Sequence, residues 1–413
     1  MAASITSAYG FGFLIQKNKD ARPKRARLFL ALSIGINLTF LFFFKYYNFF
    51  ASVLRLPLIE GLSLPIGISF YTFQIISYTL DLWRGDAELQ KNYVSFGTYV
   101  TLFPQLIAGP IVRYREIDDQ LARRREGISL FASGVCRFTA GLAKKILLGD
   151  ALAAGYAYFR DFSVLTPTGL GAWLTIIFYT LHLYYDFSGY SDMAIGLGKM
   201  FGFSFPENFN YPYIAKSITE FWRRWHITLS AWFREYVYIP LGGNRRGRAK
   251  QCRNLAIVWL LTGLWHGASW NFVLWGIYFC ILLICEHLFL RRVLEKFPGL
   301  LRHIYTLVLV TVSFLIFSYT DLAEGWRCFC ALFGARTVAF SLPALSYALL
   351  RALPLLFFAC VGATPIPRRW FSEIAQRRVS VQKLIPLLSA ALLLICTAYM
   401  VDSTFSPFAY LNF

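Results

Sequence analysis

From Leu28 to Leu54 the chain is one continuous apolar run, longer than the about 20 residues that a helix needs to cross a hydrocarbon core. Six basic residues (Lys17, Lys19, Arg22, Lys24, Arg25, Arg27) precede it and place its N-terminal end in the cytoplasm. Further runs follow at Leu62–Trp83, Gly169–Met200, Leu255–Leu290, His303–Thr320, Leu345–Val361 and Leu384–Val401. Leu255–Leu290 is long enough for one tilted span or a broken pair. Lipid offers no partner for backbone polar groups, so such runs fold as helices that satisfy their own bonds. The expectation is an all-α polytopic membrane protein, one domain over 1–413, with roughly ten membrane segments.

Composition agrees. Charged residues make up 15% of the 413, where a soluble domain has roughly 25%. The net charge of +19 sits in short loops between apolar runs, which is the positive-inside pattern; a nucleic-acid footprint needs a continuous basic face. The eight Cys include only a C-x-C at Cys328 and Cys330, with no His cluster beside it, so neither a metal site nor a disulfide framework is expected. No cleavable signal is visible. The run Tyr9–Ile15 is too short to span and reads as the tail of a helix begun further upstream.

Four stretches depart from simple spans. Tyr93–Tyr114 carries Pro104, Gly109 and Pro110, which breaks a straight helix and favours re-entrant structure covered by other helices. The segment between Arg123–Arg125 and Lys144–Lys145 is amphipathic and is expected along the membrane surface. Tyr184–Asp192 interrupts an apolar run with polar residues. In Ile218–Gly243, residues Trp222, Trp225, Leu229, Trp232 and Tyr236 recur at helical steps and predict one aromatic-faced helix near the cytoplasmic side. The loop Asn244–Arg253 is the strongest cytoplasmic signal.

Polar groups inside the membrane are costly and mark function. His266 lies 13 residues after Arg253, about 20 Å along a regular helix, between Gly263 and Gly267. Its bland alternative is a structural histidine between helices. His226, in the aromatic segment, reads equally as an interfacial residue. His182 and Asp186 share a helix face, most simply as a pair that locks two helices. Asp81 is expected to pair with Arg84 or cap a helix; His287 and His303 are expected at headgroup level. Asp186 and Asp192 also allow a proton-coupled transporter, and a structural scaffold for polysaccharide export is a third reading. Arg223 and Arg224 suit either snorkelling or the phosphates of a cytosolic cofactor. Two histidines in aromatic surroundings suit a general base without a dedicated nucleophile, as acyl transfer from a thioester to a hydroxyl requires.

Five blocks resemble the membrane-bound O-acyltransferase family, in particular its bacterial alginate O-acetyltransferase-like branch: Leu64–Gly85, Tyr99–Ile117, Tyr184–Tyr213, Ile218–Gly247 and Leu261–Gly276. The resemblance implies a ring of tilted helices, with re-entrant segments, around a central tunnel joining the two membrane faces. It implies a deep catalytic histidine, matching His266, and a second, matching His226. Asn208, Asn210, Arg224 and Trp265 fall in the same blocks as tunnel-lining or donor-binding residues. It further implies acetyl-CoA or an acylated carrier protein as donor, no bound cofactor, an extracytoplasmic acyltransferase partner with a polysaccharide acceptor, and a bacterial cytoplasmic membrane location. D-alanyl transfer to teichoic acids is the nearest rival. The tail Ser406–Phe413 (406–413) fits F-x-Y-x-x-F at Phe408, Tyr410 and Phe413, and resembles the terminal motif of the small membrane peptide in teichoic acid D-alanylation. By that likeness Tyr410 is a candidate acyl carrier. Relatives usually have further membrane segments before the position of Ala2.

Overall fold

The computed structural model describes residues 1–124, 126–245, 247–339 and 341–402. Among these every regular element is helical, and the β contact present is a single bridge between Thr168 and Ala339.

The run Tyr9–Ile15 lies inside a 17-residue helix, α1 (Ala2–Asn18). A basic turn leads into α2 (Pro23–Leu54), with Pro23 at a first-turn position where its missing N–H costs nothing. Five residues of α2, Phe42–Tyr46, form a wider π-helical turn. The second predicted span begins later than its hydropathy suggests: α3 covers Ile68–Arg84. Pro65 and Gly67, the latter at φ 72°, hold the preceding residues out of the helix. α1, α2 and α3 share a core built around Tyr71, Ile75 and Tyr78.

Tyr93–Tyr114 is broken, as its prolines predict. It forms α4 (Tyr93–Thr101), one turn at Phe103–Leu106, and an extended stretch leading to α5 (Tyr114–Ala122). The stretch is buried at Ala108, Ile111 and Val112. Its backbone is satisfied from elsewhere: Ile111 N–H donates to Thr228 Oγ1 at 2.9 Å, and Tyr99 O–H to Val112 O at 3.0 Å.

The segment expected on the membrane surface packs one face on the protein, at Gly134, Thr139, Gly141 and Leu142, while Ile128 and Phe131 stay exposed. α6 (Ile128–Ala143) runs through a π-helical turn, Lys144–Gly149, into α7 (Asp150–Leu165), antiparallel to the 32-residue α8 (Gly169–Met200). A Cβ on Gly141 would lie 2.6 Å from Gly189 O. The small residues that make this segment look weakly hydrophobic are what let two backbones touch. α8 is uninterrupted, and its polar centre turns toward protein rather than lipid. Asp186 pairs with Lys145 at 3.1 Å, and Asp192 with Arg137 at 2.6 Å and Lys144 at 2.5 Å.

The single aromatic helix predicted over Ile218–Gly243 is not formed. α9 (Ile218–Trp222) and α10 (Ile227–Phe233) are separated at His226, which adopts φ 43°. Trp222, Trp225, Leu229, Trp232 and Tyr236 are all buried, so the periodicity reports burial and not one continuous helix. α11 (Arg248–His266) and α12 (Trp270–Leu294) are the broken pair allowed for Leu255–Leu290, and they close on each other at Gly263 and Gly276. The remainder is α13 (Gly299–Ser318), α14 (Leu322–Leu332), α15 (Pro343–Gly362), α16 (Ile366–Arg377) and α17 (Val379–Asp402).

Five helices among the described residues are long and apolar enough to cross a membrane: α2, α12, α13, α15 and α17. The protein is therefore a multi-pass membrane protein. Four further helices fall outside this set: α1 and α3 have 17 residues each, α8 carries charges in its middle, and α11 begins in an arginine-rich turn. Contacts gather the basic segments at one end. Lys19 Nζ donates to Leu82 O, Arg84 to Glu235 O, and Asn254 Nδ2 to Gly243 O, which links the α1–α2 turn to the start of α11. His266 closes the opposite end of α11, about 27 Å away at 1.5 Å per residue.

Candidate active site

His266 is the last residue of α11; Gly267 is extended and the chain then turns into α12. Its ring is 3% exposed and sits edge-on to Trp265 at 5.0 Å, Trp275 at 4.9 Å and Phe317 at 5.3 Å between centroids. Asn271 Nδ2 donates to Phe317 O at 2.9 Å and pins α13 to this box. The imidazole also borders a cavity of about 140 Å³ whose other walls are Lys45, Leu64–Phe70 and Trp265. His266 is thus enclosed on one side by aromatic rings and meets open space on another.

Sequence reasoning does not single out Lys45, although a lone charge inside a long apolar run is a strong signal. It lies on the π-helical turn of α2, a local widening that recurs at functional sites. Its Nζ donates to Trp265 O at 2.6 Å and to Ser69 Oγ at 3.1 Å, while Tyr46 O–H donates to Leu264 O at 2.8 Å. A helix leaves its last carbonyls unpaired, and these two side chains take up that role beside His266.

His226 is fully buried, and its Nδ1 lies 3.0 Å from Asn208 Oδ1. That oxygen also accepts from Thr228 O–H at 2.9 Å, while Asn208 Nδ2 donates to Ser191 Oγ at 3.1 Å. The amide orientation therefore follows from its partners, and the shared oxygen requires the proton of His226 on Nδ1. Nε2 is left as the basic nitrogen. Asn208 also accepts from Ile227 N–H through its carbonyl at 2.9 Å, holding the left-handed turn that splits α9 from α10. Trp265 packs on both histidines, its ring centroid 5.8 Å from that of His226 and 5.0 Å from that of His266.

The structure thus brings together His226, His266, Trp265 and Asn208. Asn210 and Arg224 lie apart from this cluster: Arg224 pairs with Glu220 at 2.9 Å and donates to Asn210 O at 3.2 Å. Tyr410 lies outside the described residues. Two smaller expectations are corrected. Asp81 accepts from Tyr236 O–H at 2.8 Å, and Arg84 stacks over the Tyr236 ring instead of pairing with Asp81. His182 Nδ1 turns to Gly149 O at 2.9 Å while Asp186 takes Lys145. His303, half-buried, meets Ala215 O through Nδ1 at 3.1 Å.

Two carboxylates support the scaffold. Glu286, 2% exposed and not expected from sequence, accepts from Ile218 N–H at 2.7 Å and Thr219 N–H at 2.9 Å, anchoring the start of α9. A lone acid ending an apolar helix is the signal that could have found it. Glu235, at the basic end, pairs with Arg113 at 2.6 Å and also with Arg115. Burial alone would raise its pKa; the hydrogen bonds and charges of the two arginines outweigh it and hold the carboxyl below its usual range. Among the described residues no group of three or more His, Cys, Asp or Glu is placed to hold a metal.

These features define a helical multi-pass membrane protein with two buried histidines gathered around a tryptophan. MBOAT, the membrane-bound O-acyltransferase family, matches residues 52–325, which include both histidines, and the chain belongs to this family. It is 44% identical over 321 residues to a probable alginate O-acetylase AlgI of Azotobacter vinelandii, covering 76% of this chain and 64% of the relative. It is 35% identical over 377 residues to a peptidoglycan O-acetyltransferase of Helicobacter pylori, covering 82% and 70%. A teichoic acid D-alanyltransferase of Bacillus subtilis is 29% identical over 268 residues, covering 62% and 67%. The chain spans a little under two thirds of the length of the first of these relatives.

Proposed function

We propose that this protein transfers an acyl group, acetyl before others, from a cytosolic thioester to a hydroxyl acceptor bound for an exported polysaccharide or cell-wall polymer. The observation that carries the reading is His266, buried in aromatic rings yet bordering the cavity beside Lys45. Family membership and the O-acetylating relatives support the reaction type. Greater identity to those relatives favours acetyl over D-alanyl transfer.

In this reaction His266 takes the acceptor's hydroxyl proton as the oxygen bonds to the thioester carbonyl carbon. The tetrahedral adduct then collapses, the carbon–sulfur bond breaks, and the leaving thiolate takes the proton from the imidazolium. An ester and a free thiol result. A thioester is already activated, so acceptor deprotonation is the main task, worth about 10²–10⁴-fold. His226 orients the donor or relays the proton through Nε2, and Trp265 packs on both imidazoles. Lys45 keeps the end of α11, and with it His266, in place.

The wider architecture belongs to the same proposal: a ring of roughly ten tilted helices about a tunnel, in a bacterial cytoplasmic membrane, with the basic end inward. Acetyl-CoA or an acylated carrier protein enters from that end. Tyr410 is the first acceptor, passing the group to an extracytoplasmic acyltransferase partner.

Purified protein in nanodiscs, incubated with labelled acetyl-CoA, tests this through the mass of its C-terminal peptide. Label on Tyr410 that is lost in His266→Ala is the expected result. Absence of label, together with unchanged thioester hydrolysis in His266→Ala, removes both the carrier and the catalytic assignment.

A further inference from the structure

Away from the histidines, at the connection between α15 and α17, a second cavity of about 460 Å³ is lined by Arg224, Arg368 and Arg369, with Asn210, Tyr211 and Ser372. One wall is the loop and turn that lead to His226. The other is the first half of α16, which lies beyond the family-matched residues 52–325.

Three guanidinium groups around one space repel each other unless something negative balances them. Arg224 is partly balanced by Glu220. Arg368 and Arg369 are exposed, and among the described residues neither forms an ion pair. Arginines elsewhere that line the protein's interior are balanced: Arg113 and Arg115 share Glu235, and Arg137 binds Asp192 and Glu207. Here the fold gathers three arginines against the single carboxylate of Glu220. Guanidinium forks match phosphate oxygens in pairs, and Asn210, Tyr211 and Ser372 line the same space with neutral polar groups. The volume admits a phosphorylated small molecule, not merely an ion.

We propose that this cavity binds the phosphate groups of a small anionic ligand. On the acyl-transfer reading above, on which this assignment of the ligand rests, those are the phosphates of a nucleotide-bearing thioester donor. The position suits that role, because Asn210 N–H bonds to Arg224 O at 2.9 Å and Asn208, two residues before it, holds His226. Donor phosphates held here would fix a flexible arm that reaches toward the histidines. A phospholipid headgroup carries the same chemistry and is the other source of phosphate at this surface.

The test is equilibrium binding of unacylated coenzyme A to the purified full chain in nanodiscs of uncharged lipid, with inorganic pyrophosphate as competitor. The expected result is displacement by pyrophosphate and binding weaker by about tenfold or more in Arg368→Gln/Arg369→Gln, the loss of charge-assisted bonds. Arg377→Gln, on the same helix but outside the cavity, is expected to bind as wild type. Because both substituted arginines are exposed, the double variant should elute and melt as wild type, which excludes misfolding. A second arm counts phosphatidylglycerol retained by the protein in mixed-lipid nanodiscs. Retention lost in the double variant, with coenzyme A binding intact, assigns the phosphate to lipid headgroups. Binding of both probes unchanged in a folded double variant overturns the site. His266→Ala is expected to bind coenzyme A normally, so failure of the catalytic reading and failure of this cavity give different results.

Discussion

The side-chain nitrogen of Lys45 lies 2.6 Å from the carbonyl oxygen of Trp265, across 220 residues of sequence. It caps the C-terminal end of α11, one residue from the proposed base. Lys45→Met leaves that buried carbonyl unpaired, at a cost of about 1–3 kcal/mol. Acyl transfer is expected to fall by about tenfold or more through kcat, with little change in KM, because the base loses its position and not its substrate. Lys45→Arg should recover part of the rate. Tyr46→Phe removes only the neighbouring cap on Leu264 O and should lower the melting temperature while sparing turnover. Equal losses of kcat in Lys45→Met and Tyr46→Phe would count against a positioning role.

His226 depends on Asn208 in two ways, for its tautomer and for its left-handed backbone. Asn208→Ala takes away the acceptor of Nδ1–H and of Thr228 O–H together. The expectation is a stability loss of about 1–3 kcal/mol from the orphaned donors, with transfer reduced at least as far as in His226→Gln. Asn48→Ala, whose side chain bonds only the Ile59 backbone and holds neither histidine, should retain far more activity. Melting curves and initial rates on the same preparations separate the two.

Much of this is legible in the sequence, and the failures have physical causes. The long runs that form α2, α12, α13, α15 and α17 are plain, because lipid-facing helices must be apolar throughout. His266 stands out as a costly polar residue in an apolar block, and the resemblance of five blocks separates it from the other histidines. The single helix over Ile218–Gly243 fails because a buried asparagine from another loop, Asn208, imposes a break at His226 that periodicity cannot register. The amphipathic pattern of α6 is legible, but not its partner, because the glycines that bring it onto α8 carry no side chain to mark the contact. Lys45 escapes notice because the apolar run around it dominates, although its isolation is the clue.

Glu235 gives the basic end a pH dependence. Its folded pKa is held below the unfolded value of about 4.3, so the pairing with Arg113 and Arg115 stabilises fully above that value. The contribution is lost as pH falls through the folded pKa. At pH 7, Glu235→Gln should melt about 2 °C below wild type, a modest figure because these groups are partly exposed to water. On acidification the two curves should converge, as the wild-type carboxyl becomes neutral like the amide. A gap that stays constant or widens as the pH is taken from above the unfolded value to well below the folded one would assign the stabilisation to packing.

The contact between Gly141 and Gly189 sets how closely α6 can lie on α8, and through α8 where Asp186 and Asp192 meet their lysines and arginine. A Cβ on Gly141 would stand 2.6 Å from Gly189 O, and one on Gly189 2.8 Å from Gly141 O; in both cases the obstacle is backbone, which cannot rotate away. Gly141→Val is therefore expected to cost about 1–3 kcal/mol or more, since the helices must separate along their shared face. Gly10, in the middle of α1, is different: a Cβ added there would meet nothing within 4 Å. Gly10→Ala should stabilise by about 0.5–1 kcal/mol, as a helical glycine without a packing role does. Thermal melts of both variants in one detergent decide the matter. A Gly141→Val protein as stable as wild type would mean that α6 does not pack on α8 as described, and the surface-lying helix expected from its amphipathic sequence would return.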